Sequence, residues 1–321
     1  MKQNHAINFT RSVLILLVIV VHIVHFGTLY PEVKEGILSF MMPAFLVVTG
    51  YLVNVEKAAK DFVRYLWRIA VPYIIMVVGY SVLSYFLPVR DGISELSVTA
   101  VAEKLFVTSI GPYWFLYVMI GCGIPYYVAF RMLPLGEGRT TLRLLAFAAI
   151  LYTLSLLLPL MAVKTVMYYF AGVAIRQYKL AYEKAVCPYV LSSVVFFGII
   201  FFSGQKDWGS LLIVVAVYAF LSFSVWVSNK IERIGDKPFV TKLRSATQWI
   251  GMNTLPIYLF HPVFTMMGQY YLPFFAWDST GLVYTAVTVA LCLVGSIILA
   301  LAMDKLQLSW IFAREKFFRS N

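Results

Sequence analysis

Of the four histidines in this chain of 321 residues, three lie inside long apolar runs: His22, His25 and His261. An ionisable side chain is expensive to keep in such surroundings, so each is a candidate for function. Histidine changes charge near neutrality and suits general-base work. Arg11 precedes His22 by eleven residues. On an α-helix that is three turns plus about 20°, so the two side chains share a face and lie roughly 16 Å apart along the axis. His25, a further three residues on, falls close to the same face. Arg11 has two readings: a cation retained on the inner side of a membrane, or a contact for a phosphate arriving from that side. His22 also has two: a general base, or a neutral imidazole hydrogen-bonded between helices.

A second cationic feature is the pair Arg64 and Arg68, spaced i, i+4 and so on one face of a helix. Guanidinium groups bind phosphate in a bidentate manner, which suits a phosphate-bearing ligand; orientation in the membrane is the competing use. The stretch Gly251-Met-Asn253-Thr-Leu-Pro256-Ile-Tyr258-Leu-Phe-His261-Pro262 puts two prolines and an Asn into an apolar run. Such interruptions free backbone groups and are tolerated against protein or a wet cavity. Pro43 is expected to kink its own helix. Trp114, next to Tyr113, has the character of an interface aromatic. Cys122, Cys187 and Cys292 are odd in number and sit in or beside apolar runs, so they read as packing residues, with no disulfide framework and no metal site.

The elements that carry these residues follow from composition. Hydrophobic residues make up 61% of the chain and charged residues 13%, about half the charged share of a soluble domain. Ten apolar segments of membrane-spanning length are expected, near 12–30, 36–55, 69–87, 112–130, 142–159, 161–177, 186–203, 209–228, 248–270 and 281–303. With the N-terminus inside, all but five of the 26 Lys and Arg fall on inner segments, the exceptions being Lys34, Arg90, Lys104, Lys164 and Lys206. That bias predicts both ends on the cytoplasmic side. The net charge of +11 is thereby explained by topology and anionic lipid rather than nucleic acid. The expectation is an all-α, polytopic membrane protein with a single domain over 1–321. The outer loop 88–110 carries a short amphipathic pattern through Leu96, Val98, Val101, Leu105 and Phe106.

Taken in order, these features resemble the acyltransferase-3 family of integral membrane O-acyltransferases. The resemblance is carried by Arg11 and His22 with ten residues between them, by Phe40 through Leu52 with Thr49-Gly50, and by the Arg–Pro segment before the third helix. Trp114-Phe115-Leu116 and Ile257-Tyr258-Leu259-Phe260-His261 complete it. One departure is the gap of three residues between Arg64 and Arg68, where the family often shows two, with Tyr65 in the nearer position. The resemblance implies an acyl-CoA donor, acetyl-CoA first among them, and a hydroxyl acceptor on an envelope carbohydrate or lipid-linked glycan at the cell membrane. It implies catalytic roles for His22, His25 and Arg11, with His22 taking the hydroxyl proton or carrying the acyl group covalently. Donor contacts fall to Arg11, Arg64 and Arg68. Trp114, Asn253, Tyr258 and His261 would orient substrate or base. The rival from another class is a transporter or flippase, favoured by interrupted helices and intramembrane histidines. Against it stand the absence of an internal repeat and of a carboxylate placed at mid-membrane.

Overall fold

The structure is a computed structural model in which residues 4–86, 91–136, 138–235 and 237–318 are described. Lys2, Arg90 and Arg319, three of the charges used to orient the chain, lie outside them, as does the start of the outer loop at 88–90. The described residues form fourteen α-helices and no strand. In chain order these are α1 His5–His22, α2 Val24–Leu29, α3 Pro31–Leu52, α4 Ala59–Phe86, α5 Val98–Glu103, α6 Trp114–Tyr127 and α7 Thr140–Leu157. They continue as α8 Val163–Gln177, α9 Tyr182–Val186, α10 Ser192–Phe202, α11 Leu211–Arg233, α12 Pro238–Met252, α13 Thr254–Tyr271 and α14 Leu282–Lys305.

Each of the ten expected segments is largely helical among the described residues; residue 87, the end of the third, lies outside them. Among the described residues seven helical stretches are long and apolar enough to cross a membrane: α1, α3, α4, Gly111–Met132, α7, α11 and α14. The segments at 161–177, 186–203 and 248–270 form α8, α10 and α12–α13, which fall short on length or hydropathy. Two expected helices are broken. The first stops at Ile23, whose extended backbone (φ −76°, ψ 109°) separates α1 from α2. The ninth divides at Asn253 into α12 and α13. In contrast, α3 runs through Pro43 without a break in its helical assignment. Of the amphipathic pattern, Val98 and Val101 lie on α5, capped by Ser97, which accepts from the Ala100 amide, and Leu105 and Phe106 lie in the π-helical turn Lys104–Thr108 after it.

The chain folds into two compact units, which divide within α3. The first comprises the described residues of Met1–Val48, Leu180–Leu306 and Lys316–Asn321. Its central element is α1, whose Leu14, Ile15, Val18 and Ile19 are almost completely buried. In a bilayer burial against lipid and against protein are nearly equivalent, so close packing and interhelical hydrogen bonds must fix such a helix. Both are present. Thr10 Oγ1 lies 2.8 Å from Ser224 Oγ on α11, and Asn8 Nδ2 donates to Gln248 Oε1 on α12 at 3.1 Å. Gly251 lets α12 cross α1 at backbone contact: a Cβ there would lie 2.0 Å from the Asn8 carbonyl oxygen. On α13 and α14, Tyr271 donates to Thr288 Oγ1 at 3.0 Å.

The second unit comprises Thr49–Lys179, apart from the residues not described, and Gln307–Glu315. Thr49-Gly50 gives α3 a surface for close helix packing. A Cβ on Gly50 would lie 2.1 Å from the Tyr169 carbonyl oxygen on α8. Arg176 Nη1 donates to the Tyr51 carbonyl at 3.1 Å, closing the end of α3.

Candidate active site

The first unit holds Arg11, His22, His25, Asn253, Tyr258 and His261. Arg11 and His22 lie on one unbroken helix, so the spacing argument for a shared face applies to them directly. Arg11 does not simply extend to the surface. Its Nη2 donates to Thr254 Oγ1 at 2.6 Å, at the first residue of α13. That contact exists because the chain breaks at Asn253. Asn253 is buried, and its backbone amide and side-chain Nδ2 both return to α12, the latter to the Trp249 carbonyl at 2.9 Å. Its visible work is to end one helix and start the next.

His261 lies on α13 and is fully buried. Its orientation follows from the residue after it. Pro262 has no amide hydrogen, so the carbonyl of Tyr258, four residues earlier, loses its helical donor. The His261 ring fills that position: Nδ1 lies 2.9 Å from the Tyr258 carbonyl oxygen and 3.1 Å from that of Ile257. A carbonyl only accepts, so Nδ1 carries the hydrogen and Nε2 keeps a lone pair. Tyr258 therefore orients His261 through its main chain. Nε2 is buried with no hydrogen-bond partner among the described residues.

His22, the last residue of α1, repeats this pattern. Its Nδ1 lies 2.6 Å from the Val18 carbonyl oxygen, so Nδ1 again donates and Nε2 keeps its lone pair. The His22 and His261 rings meet edge to face, with centroids 5.2 Å apart. Two helices far apart in sequence thus bring two imidazoles together, each with its Nδ1 hydrogen on a backbone carbonyl, and His261 Nε2 has no partner among the described residues.

His25 takes a different place from the one its spacing implies. The extended Ile23 turns the chain between the two histidines, so the i, i+3 argument fails there. His25 packs edge-on to Tyr284 of α14, centroids 5.3 Å apart. Gly281, with positive φ, lets the chain pass close: a Cβ there would lie 3.1 Å from the His25 ring. The start of α14 is held by Asp278, which the sequence reading did not single out. Its carboxylate accepts from Thr280 Oγ1 at 2.7 Å and from the amides of Val283 and Tyr284. The Thr280 hydroxyl first, then these amides, hold the Asp278 carboxyl below its ordinary value.

Arg64, Arg68 and Trp114 belong to the second unit. Arg64 is exposed and lies 3.4 Å from Asp61. Arg68 Nη2 lies 3.5 Å from the almost fully exposed Glu315 carboxylate. Arg314, also missed in sequence, donates from Nη2 to the Arg68 carbonyl at 3.0 Å. Its only sequence signal was membership of a basic inner tail. Trp114 opens α6 after a 3-10 turn at Gly111–Tyr113 and stands half-buried, edge-on to Phe115. Of the cysteines, Cys122 and Cys292 are buried as expected, whereas Cys187 is exposed with a left-handed backbone and is not a packing residue. Among the described residues no group of three or more His, Cys, Asp or Glu side chains is arranged to hold a metal ion.

A multi-pass helical membrane protein with a cation and two neighbouring imidazoles inside one helical unit is the class these features define. The family model of the acyltransferase-3 domain matches residues 4–301, and the chain belongs to that family. It is therefore an acyltransferase. No individual curated protein and no solved structure matches it.

Proposed function

We propose that this acyltransferase moves an acyl group, acetyl in the first instance, from cytoplasmic acyl-CoA to a hydroxyl of an envelope carbohydrate or lipid-linked glycan at the cell membrane. The observation that carries the reading is His22. Its Nδ1 hydrogen is committed to the Val18 carbonyl, and its Nε2 is left as a base beside His261. In this scheme His22 Nε2 takes the hydroxyl proton as the oxygen attacks the thioester carbonyl carbon. The tetrahedral adduct then expels the CoA sulfur, which leaves as the thiol with the proton from Nε2. Arg11, about 16 Å along the same helix face, meets the phosphate-bearing part of the donor, and its Thr254 hydrogen bond sets its direction. Arg64 and Arg68, within the second unit, present exposed guanidinium groups with weak surface partners, which suits them to binding phosphate. The charge bias of the loops supports ten crossings with both ends inside. A transporter is disfavoured, because the family chemistry is group transfer.

The test is transfer of label from radioactive acetyl-CoA, given to the cytoplasmic face of vesicles that carry envelope glycans. The native chain is expected to label glycan. His22→Ala is expected to lose about 10²–10⁴ of the rate while remaining inserted. Equal labelling by the two proteins would remove His22 from the chemistry.

A further inference from the structure

We propose that the His22–His261 pair selects acceptors bearing two adjacent hydroxyl groups, a vicinal diol. This rests on the acyl-transfer reading of the same site and goes beyond it by naming the acceptor's chemistry. Both imidazoles spend their only N–H on backbone carbonyls: His22 on Val18, His261 on Ile257 and Tyr258. Both therefore present a lone pair at Nε2. An acceptor molecule with one hydroxyl satisfies one of these nitrogens and leaves the other buried and unpaired, which is costly. His261 Nε2 is already such an atom: it is buried and has no donor among the described residues. A second hydroxyl on the adjacent carbon supplies that donor.

The geometry suits this short span. The ring centroids lie 5.2 Å apart, close enough for one small ligand to reach both rings. His22 is a half-buried residue and His261 a fully buried one, so the ligand meets His22 first. The oxygen bound to His22 reacts. Its neighbour donates to His261 and leaves the site chemically unchanged. Selectivity of this kind is strong because a buried polar group rejects an analogue that lacks its partner.

Periodate tests this directly, since it cleaves vicinal diols and spares isolated hydroxyls. Full-length protein in vesicles is given labelled acetyl-CoA and envelope glycan, either untreated or oxidised with periodate and reduced with borohydride. The native protein is expected to label untreated glycan at least about tenfold faster, the equivalent of one lost hydrogen bond to a buried group. His261→Phe removes the acceptor nitrogen. It is expected to raise the glycan KM about tenfold, to leave the acetyl-CoA KM unchanged and to abolish the preference for untreated glycan. His261→Gln keeps an acceptor oxygen and is expected to retain the preference, which separates the proposal from a folding defect in the Phe variant. Equal transfer to both glycans by the native protein, or a preference that survives in His261→Phe, overturns the inference and leaves the acyl-transfer reading standing. No transfer to either glycan by the native protein overturns the acyl-transfer reading as well.

Discussion

Replacing Gly251 by Ala would put a methyl carbon 2.0 Å from the Asn8 carbonyl oxygen, 2.5 Å from its carbonyl carbon and 2.7 Å from its Cα. All three atoms are backbone, so no side chain can swing aside. Non-bonded contact needs about 3.5 Å, and α1 and α12 must part by more than an ångström. The strain has a definite victim. Arg11 lies three residues beyond Asn8, and Thr254 three beyond Gly251. Their hydrogen bond is 2.6 Å long, and a displacement of that size takes it beyond the range in which it counts as a bond. Overpacking of this kind costs about 1–3 kcal/mol of stability. Loss of alignment by an ångström costs roughly 10²-fold in rate. Gly251→Ala should therefore lower acyl transfer by one to two orders of magnitude, with a modest fall in the melting temperature of the detergent-extracted protein. The control is Gly198→Ala on α10, where nothing lies within 4 Å of the added carbon. It should keep full activity, and the helix should gain about 0.5–1 kcal/mol from the substitution. Labelled transfer and thermal unfolding on the same preparations decide the matter. Native-level activity in Gly251→Ala would refute the argument that this crossing sets the position of Arg11.

Two further outcomes are expected. Arg64→Ala combined with Arg68→Ala should raise the KM for acyl-CoA about tenfold, for the loss of charge-assisted hydrogen bonds to phosphate. The kcat should stay within a factor of two, and the effect should shrink at high salt; an unchanged KM in initial-rate measurements removes both residues from donor binding. Asp278 has a depressed carboxyl pKa, so its contribution to stability is present above the ordinary carboxylate value of 3.8 and is lost as pH falls through the lower folded value. Thermal unfolding of Asp278→Asn should lack that acid-side component, and an acid limb identical to the native one would show that the cap contributes nothing.

The all-helical, membrane-spanning character was legible, and seven of the expected segments form helices long and apolar enough to cross among the described residues, because membrane burial demands long apolar runs and acts on each segment separately. The shared face of Arg11 and His22 was legible for a related reason: both lie on one unbroken α-helix, where sequence spacing alone sets relative direction. His25 shows the limit of that logic. No proline or glycine marks Ile23, yet the chain turns there and carries His25 to Tyr284. The break at Asn253 was suggested by polar and proline residues in the run, but its consequence, a hydroxyl placed for Arg11, belongs to the packing of α1 against α12 and α13. The tautomer of His261 lies between the two cases. Pro262 frees a carbonyl by local chemistry, and only the ring's position in the folded helix shows that His261 takes it.

By itself, then, the sequence determined that the chain is a helical membrane protein, which family motifs it carries and which few histidines fall within its apolar runs. Composition and short-range periodicity are enough for those properties. Only the tertiary structure decided that His22 meets His261, that Arg11 meets Thr254, and that Asp278 anchors α14 close to His25. Each of these pairings depends on how helices distant in sequence cross. Those crossings are set at single close-approach points such as Gly251 against Asn8, where the side chain is a hydrogen atom and carries no chemical signature of its partner.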